Sequence, residues 1–236
     1  MCLLNGGILA QYGVPVDTTV MAFHHFSLIG SSDSSFDFPC SAFVDWSTDY
    51  VVDTSSTKPR DNIIGTVGFD PFTERILVID FPNRSYGVFS DSAELPVALK
   101  RSVEYVPAQV KDRKFRVSVV IGGDTLTNVL FDTGASETTL TLPLADWRRA
   151  TGLIGTERSV WTGTVLSWGQ DLKIIRARAK GDLEFGSVRV AAPMVDHVEW
   201  ADPAFANLRL IGNAPFYHDN TVVVDAKNNR MGVTKK

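Results

Sequence analysis

Apolar residues recur along this chain in short runs, at residues 19–26, 42–52, 74–81, 115–121, 128–131, 171–177, 187–194 and 221–225. The runs are rich in β-branched and aromatic residues and are broken by Gly, Asp, Asn and Pro, the composition of strands that end in turns. The spacing of three to four that marks an amphipathic helix is nearly absent. It is best developed at 144–151, with short helical turns expected at Pro71-Phe72 and at 203–207. The pattern therefore predicts an all-β protein of many short strands. Residues 90–107 carry mixed charge, two prolines and no clear period, which predicts a connector.

Two segments read alike. Residues 62–88 (NIIGTVGFDPFTERILVIDFPNRSYGV) match residues 209–233 (RLIGNAPFYHDNTVVVDAKNNRMGV). Asp80, Asn83, Gly87 and Val88 align with Asp225, Asn228, Gly232 and Val233 at an offset of 145, and Ile64-Gly65 aligns with Ile211-Gly212 at 147. The reading is one unit of strand, helical turn, strand and tight turn, used twice. It divides the chain into a first unit (1–89), a linker (90–107) and a second unit (108–236).

Composition changes this picture little. With 44% hydrophobic and 21% charged residues over 236 positions, the chain is of the globular class and long enough for a sizeable core. A net charge of -4 argues against nucleic acid as a partner. No run is long enough for a membrane span and no secretory signal opens the sequence, which points to the cytoplasm provided that Met1 is the true start. Cys2 and Cys40 are the only cysteines, and of four histidines only His24 and His25 are close in sequence, so neither a disulfide framework nor a metal site is expected. Gly122-Gly123 lies between two strand runs, where a β-turn is expected and not a phosphate loop, and no cofactor is implied.

The candidate chemistry lies at Phe131-Asp132-Thr133-Gly134-Ala135-Ser136, followed about 80 residues later by Leu210-Ile211-Gly212. This combination resembles the aspartic peptidases, pepsins and retropepsins, in which two lobes or two subunits each donate an Asp-Thr-Gly loop. The resemblance covers about 115–233 as one complete pepsin-like lobe, and 1–89 as the later part of a preceding lobe that lacks its catalytic loop. It implies that Asp132 is a catalytic carboxylate, that Thr133, Gly134, Ala135 and Ser136 form its loop, and that Ile211 and Gly212 support that loop. It also implies a β-hairpin flap near 159–169, with Trp161, Thr162, Gly163 and Thr164 as candidates and Gly163 placed to turn the hairpin. Ala135 is the residue retropepsins commonly carry there. The substrate implied is an extended peptide or protein segment with apolar side chains beside the cut.

Such chemistry needs a pair of carboxylates. Two of them sharing one proton activate a water, one as base and one as acid, because like charges a few ångströms apart do not both ionise. Gly134 suits a loop that bends close to its twin, and Thr133 offers a hydroxyl to fasten it. Projected through the repeat offset, the companion of Asp132 falls before Met1. Asp53-Thr54-Ser55 is no substitute: it stands about ten residues before Ile63-Ile64-Gly65, too few for a flap, and Ser replaces the Gly. The expected source of the second acid is an upstream segment of a longer protein, ahead of a second copy pairing as a homodimer. The alternative function is a catalytically inactive pepsin-like module that binds peptide or protein, and a purely structural β domain ranks third. Asp80 and Asp225 are expected to close strands, Asp182 to sit in a hairpin turn with Gly181, Asp17 to mark a strand edge, and His24 and His25 to pack.

Overall fold

The computed structural model describes residues 65–167 and 170–235, and the backbone of the strands β1 (Cys2–Asn5), β2 (Phe23–Ile29) and β3 (Ser35–Phe43). The expectations for Asp17, for Asp53-Thr54-Ser55 and for the run 42–52 after Phe43 lie outside the described residues. The chain is an all-β protein in two units, Met1–Pro71 and Phe72–Lys236.

In the first unit β4 (Gly65–Thr66) completes a four-stranded sheet of order β2-β3-β1-β4. Here β1 runs parallel to β3 and antiparallel to β4, and β2 is antiparallel to β3.

The second unit is built on one mixed sheet. Its strands are β5 (Ile76–Asp80), β6 (Ser85–Phe89), β7 (Val103–Lys111), β8 (Lys114–Ile121), β9 (Asp124–Phe131), β10 (Leu140–Thr141), β11 (Trp161–Ser167), β12 (Gln170–Arg178), β13 (Leu183–Phe185), β14 (Val188–Val190), β15 (Met194–Val198), β16 (Leu210–Ile211), β17 (Thr221–Asp225) and β18 (Arg230–Thr234). They lie in the order β11-β12-β15-β10-β16-β9-β8-β7-β18-β17-β5-β6, and the β13–β14 hairpin joins through β8. The strand runs expected at 74–81, 115–121, 128–131, 171–177 and 221–225 correspond to β5, β8, β9, β12 and β17. The expected helix forms as α2 (Leu144–Thr151), and the two expected turns form as 3-10 turns at Asp70–Phe72 and Pro203–Phe205.

Residues 90–107 are not a connector. They hold a 3-10 turn (Ser92–Glu94) capped by the Asp91 carboxylate, which accepts the Ala93 N–H at 2.9 Å, then α1 (Val97–Ser102) and the start of β7. Leu95 anchors the segment, buried among Ile76, Val78 and Val223, with Leu99 and Val103 packed against them. For the same reason the unit boundary falls at 71/72 and not at 89/90. β5 pairs with β17 along its whole length, so the 76–89 hairpin belongs to the second unit's sheet.

The internal repeat is visible in backbone detail. Asp80 accepts the N–H and Nδ2 of Asn83, and Asp225 accepts the same two donors of Asn228. Arg84 and Asn229, again 145 apart, both take positive φ, 51° and 52°, in the turns that join β5 to β6 and β17 to β18. β5 and β17 pair antiparallel with Val78 opposite Val223, its counterpart in the other copy, so a local two-fold axis passes through that pair. The remaining strands repeat too: β10 is parallel to β15 and antiparallel to β16, and β12 is antiparallel to β15, the pattern that β1, β3, β4 and β2 show in the first unit.

The two turn aspartates differ in burial, which gives a test. Asp225 is wholly buried and also accepts Arg230 Nε at 2.7 Å, whereas the Asp80 turn is exposed. Asp225→Ala is expected to cost about 2–3 kcal/mol, because it strands the Asn228 and Arg230 donors. Asp80→Ala should cost a small fraction of that. Urea unfolding of the two variants measures the difference.

Candidate functional site

β9 delivers Asp132. It pairs parallel with β16, Leu130 opposite Leu210 and Phe131 opposite Ile211. The ladder continues one step past the strand end, where the Asp132 N–H donates to the Ile211 carbonyl at 3.0 Å. The chain then turns sharply: Gly134 N–H donates to Asp132 Oδ1 at 2.8 Å and Ala135 N–H to the Asp132 carbonyl at 3.2 Å. Asp132 is half-buried, while Thr133, Gly134 and Ser136 are exposed, so the carboxylate stands at an accessible crown. A Cβ at position 134 would sit 3.1 Å from Asp132 Oδ1, and Gly there leaves the carboxylate uncrowded.

The segment after β16 clamps this loop from beneath. Asn213 N–H donates to the Ala135 carbonyl at 3.2 Å, Asn213 Nδ2 to the Thr133 carbonyl at 2.7 Å, and Ala214 N–H to the Thr138 carbonyl at 3.4 Å. Gly212 lies so close that a Cβ would fall on the carbonyl oxygens of Ala135 and Thr138. Ile211 and Gly212 therefore hold the loop, one by a backbone hydrogen bond and the other by close approach. Thr133 is held through its carbonyl. Asn213 is the residue that sequence reasoning missed; its position directly after Gly212 was the only signal. Below the clamp the floor is aromatic: Phe131 and Phe185 both stack edge-on against the fully buried Phe216, with centroids 6.0 and 5.8 Å away.

Helix α2 braces the same framework. Gly152 ends it in the left-handed conformation at φ 72°, and the buried Trp147 donates Nε1–H to the Val195 carbonyl at 3.0 Å. The buried Asp146 takes Arg149 on one oxygen and Arg209 Nε, at 2.7 Å, on the other. Arg209 also donates to the Thr127 carbonyl at 3.1 Å, fixing the entry to β16 against β9.

The hairpin expected over 159–169 is β11–β12. Its register pairs Trp161 with Arg176, Gly163 with Ile174 and Ser167 with Gln170. Gly163 is thus in mid-strand and does not turn the hairpin; Trp168 and Gly169, between the last paired residues, lie outside the described residues. The lack of a side chain at 163 instead makes room for the Trp161 ring, into which a Cβ there would run. Trp161 is 52% exposed and carries the Arg176 guanidinium 5.7 Å from its ring centroid. Arg176 also forms a two-pronged bond to the buried Asp196, at 2.6 and 2.9 Å. That bond, opposed by desolvation, raises the Arg176 pKa, and the charge of Glu137, in the stretch after Ser136, adds to the rise. Thr162 and Thr164 are exposed on the same strand.

Of the other residues weighed from sequence, Asp182 braces its loop, accepting Arg189 Nε at 2.8 Å and the Ala192 N–H at 3.1 Å. Among the described residues no group of three or more His, Cys, Asp or Glu is arranged to hold a metal ion, and no helix is long and apolar enough to cross a membrane.

No protein-family model and no curated protein matches this sequence. Among solved structures the chain is similar to conglutin gamma, a basic 7S globulin from lupine seeds, with 11% sequence identity and a TM-score of 0.42. The match covers 86% of this chain and 62% of that one, so the chain spans less than two thirds of that protein's length.

Proposed function

We propose that this chain supplies one catalytic half of an aspartic-type endopeptidase, with Asp132 as one of two carboxylates that activate a water. The observation that carries the reading is the clamped loop. An acid is presented at an accessible crown, bonded to its own Gly134 N–H and held rigidly from below by residues 211–214. Preorganisation of this kind is what proton transfer to and from a bound water requires. One carboxylate takes the water's proton as it attacks the peptide carbonyl, the other donates to the carbonyl oxygen, and no covalent intermediate forms. The second carboxylate comes from another stretch of polypeptide, and the two-fold relation between β5 and β17 supports a partner loop related to Asp132 by similar symmetry.

The alternative, a peptide-binding module without catalysis, draws on the company of Asp132. Among the described residues its carboxylate accepts the Gly134 N–H, and no second carboxylate is hydrogen-bonded to it.

Sedimentation equilibrium of the 236-residue chain, beside cleavage of an unfolded protein at pH 4 and pH 6, separates the two. The fold should be slightly less stable at pH 4 than at pH 6. The Asp91, Glu157 and Asp182 carboxylates are each held below their ordinary pKa, the first two chiefly by backbone N–H donors and the third by Arg189. A depressed folded-state pKa contributes stability that is full above the unfolded value, near 4, and is lost progressively as pH falls from there through the lower folded one, which thermal unfolding at the two pH values measures. Cleavage by an assembly containing a second Asp-Thr-Gly loop is the expected result. Peptide binding without cleavage in that same assembly would leave the inactive module as the correct reading.

A further inference from the structure

β1 and β3 bring the two cysteines of the chain together. Cys2 and Cys40 are far apart in sequence, and the parallel register of the two strands sets them directly opposite each other. On the other side of β3, the antiparallel register of β2 sets His24 opposite the same Cys40. Residues directly opposed in neighbouring strands share a face of the sheet, so Cys2, Cys40 and His24 form one row across β1, β3 and β2. All three lie within the first unit. Neighbouring strands run about 4.7–4.9 Å apart, inside the Cα separation of about 4.4–6.8 Å that a disulfide spans. A slip of one residue would carry one cysteine to the opposite face, so it is the register that makes the pair. His24 stands one strand spacing from Cys40 and two from Cys2.

We propose that Cys2 and Cys40 are a redox-active pair that closes to a disulfide between β1 and β3, with Cys40 as the attacking thiol and a small-molecule disulfide as the oxidant. The row assigns the order of events. A thiol attacks only as its thiolate, which is a small fraction of an ordinary cysteine at neutral pH. Cys40 is the cysteine with an imidazole at the neighbouring register position, and His24 takes its proton. The Cys40 thiolate attacks the oxidant, forms a mixed disulfide and releases one small thiol. Cys2, opposite on β1, then gives up its proton to solvent and attacks the Cys40 sulfur. The Cys2–Cys40 bond forms and the second small thiol leaves. Two protein thiols are oxidised and one small disulfide is reduced to two thiols. The bond closes a long loop, so the oxidised chain resists unfolding more than the reduced one. None of this rests on the peptidase reading, because the pair and Asp132 lie in different units.

The test is a redox titration of the 236-residue chain in mixtures of reduced and oxidised glutathione, with free thiols blocked by alkylation and the linkage located by peptide mass mapping. In native buffer the expected product is a single chain with Cys2 linked to Cys40. Its formation constant should exceed that of the same chain in concentrated urea by about 100-fold, because the register holds the two thiols at bonding distance before they react. Equal constants in buffer and in urea would overturn the pair. So would chains linked to one another, or glutathione left on both cysteines. Protection of the reduced thiols by added zinc, with no cross-link formed, would make the row a metal site and overturn the disulfide. The role of His24 is read separately, as the rate at which Cys40 of a Cys2→Ser chain forms its mixed disulfide at neutral pH. His24→Ala should slow that step about tenfold and leave the Cys2–Cys40 formation constant of the two-cysteine chain unchanged. His25, opposite Pro39 and on the other face, is the control, and His25→Ala should change neither quantity. Equal rates in the two histidine variants would remove His24 from the reaction and Cys40 from its place as the attacking thiol.

Discussion

Asp132→Asn is expected to lower cleavage by about 10³-fold or more, in whichever assembly cleaves, with the melting temperature almost unchanged. The two halves of this expectation have separate physical causes. The amide oxygen of Asn occupies the place of Oδ1 and accepts the Gly134 N–H as the carboxylate does, at 2.8 Å in the native loop. The backbone N–H of residue 132 keeps its bond to the Ile211 carbonyl. The loop therefore has no reason to move. What disappears is the ability to hold or release a proton, and an amide paired with a carboxylate has no shared proton to give. The measurement is kcat/KM on an unfolded protein at pH 4, beside thermal unfolding. A variant that cleaves as well as the parent would remove Asp132 from the chemistry. A variant that loses several degrees of stability would make the carboxylate a structural anchor of its loop.

What the sequence made legible was local. Strands β5, β8, β9, β12 and β17 follow from β-branched runs that end in turn residues, and α2 from a short periodic stretch stopped by Gly152. The repeat was readable because each hairpin turn is closed by its own side chains: Asp80 with Asn83, and Asp225 with Asn228. Residues 90–107 were misread because their order is not periodic. Leu95 and Leu99 are two isolated anchors around a six-residue helix, and β7 contains Pro107, which counts against a central strand in sequence although the structure pairs it with Arg230. Gly163 was misread because glycine signals either a turn or a place where something large comes close. Here the large group is the ring of Trp161, two residues earlier on the same strand. The braces of the site were invisible altogether. Asp146 meets Arg209 from 63 residues away, and Arg176 meets Asp196 from 20, and no local pattern announces such pairs.

Gly212→Ala is expected to be far more damaging to the fold than its single added methyl suggests. The new Cβ would fall on the carbonyl oxygens of Ala135 and Thr138, which are backbone atoms and have no rotamer through which to yield. Those oxygens are also the acceptors for Asn213 and Ala214, so relief by lifting the loop or lowering β16 would stretch the bonds that form the clamp. Overpacking of about 1–3 kcal/mol, plus two weakened hydrogen bonds of about 1 kcal/mol each, gives a loss of roughly 3–5 kcal/mol. Cleavage should fall with it, because Asp132 is fixed by the same ladder. Gly152→Ala is the control: its strain is confined to a left-handed helix end, where the obstructing neighbour is the flexible Lys180 side chain, and about 1 kcal/mol is expected. Urea midpoints at equal slope compare the two variants. Were Gly212→Ala to cost no more than Gly152→Ala, the loop would be free to part from the segment beneath it, and a clamp that loose would not hold a carboxylate in place for proton transfer.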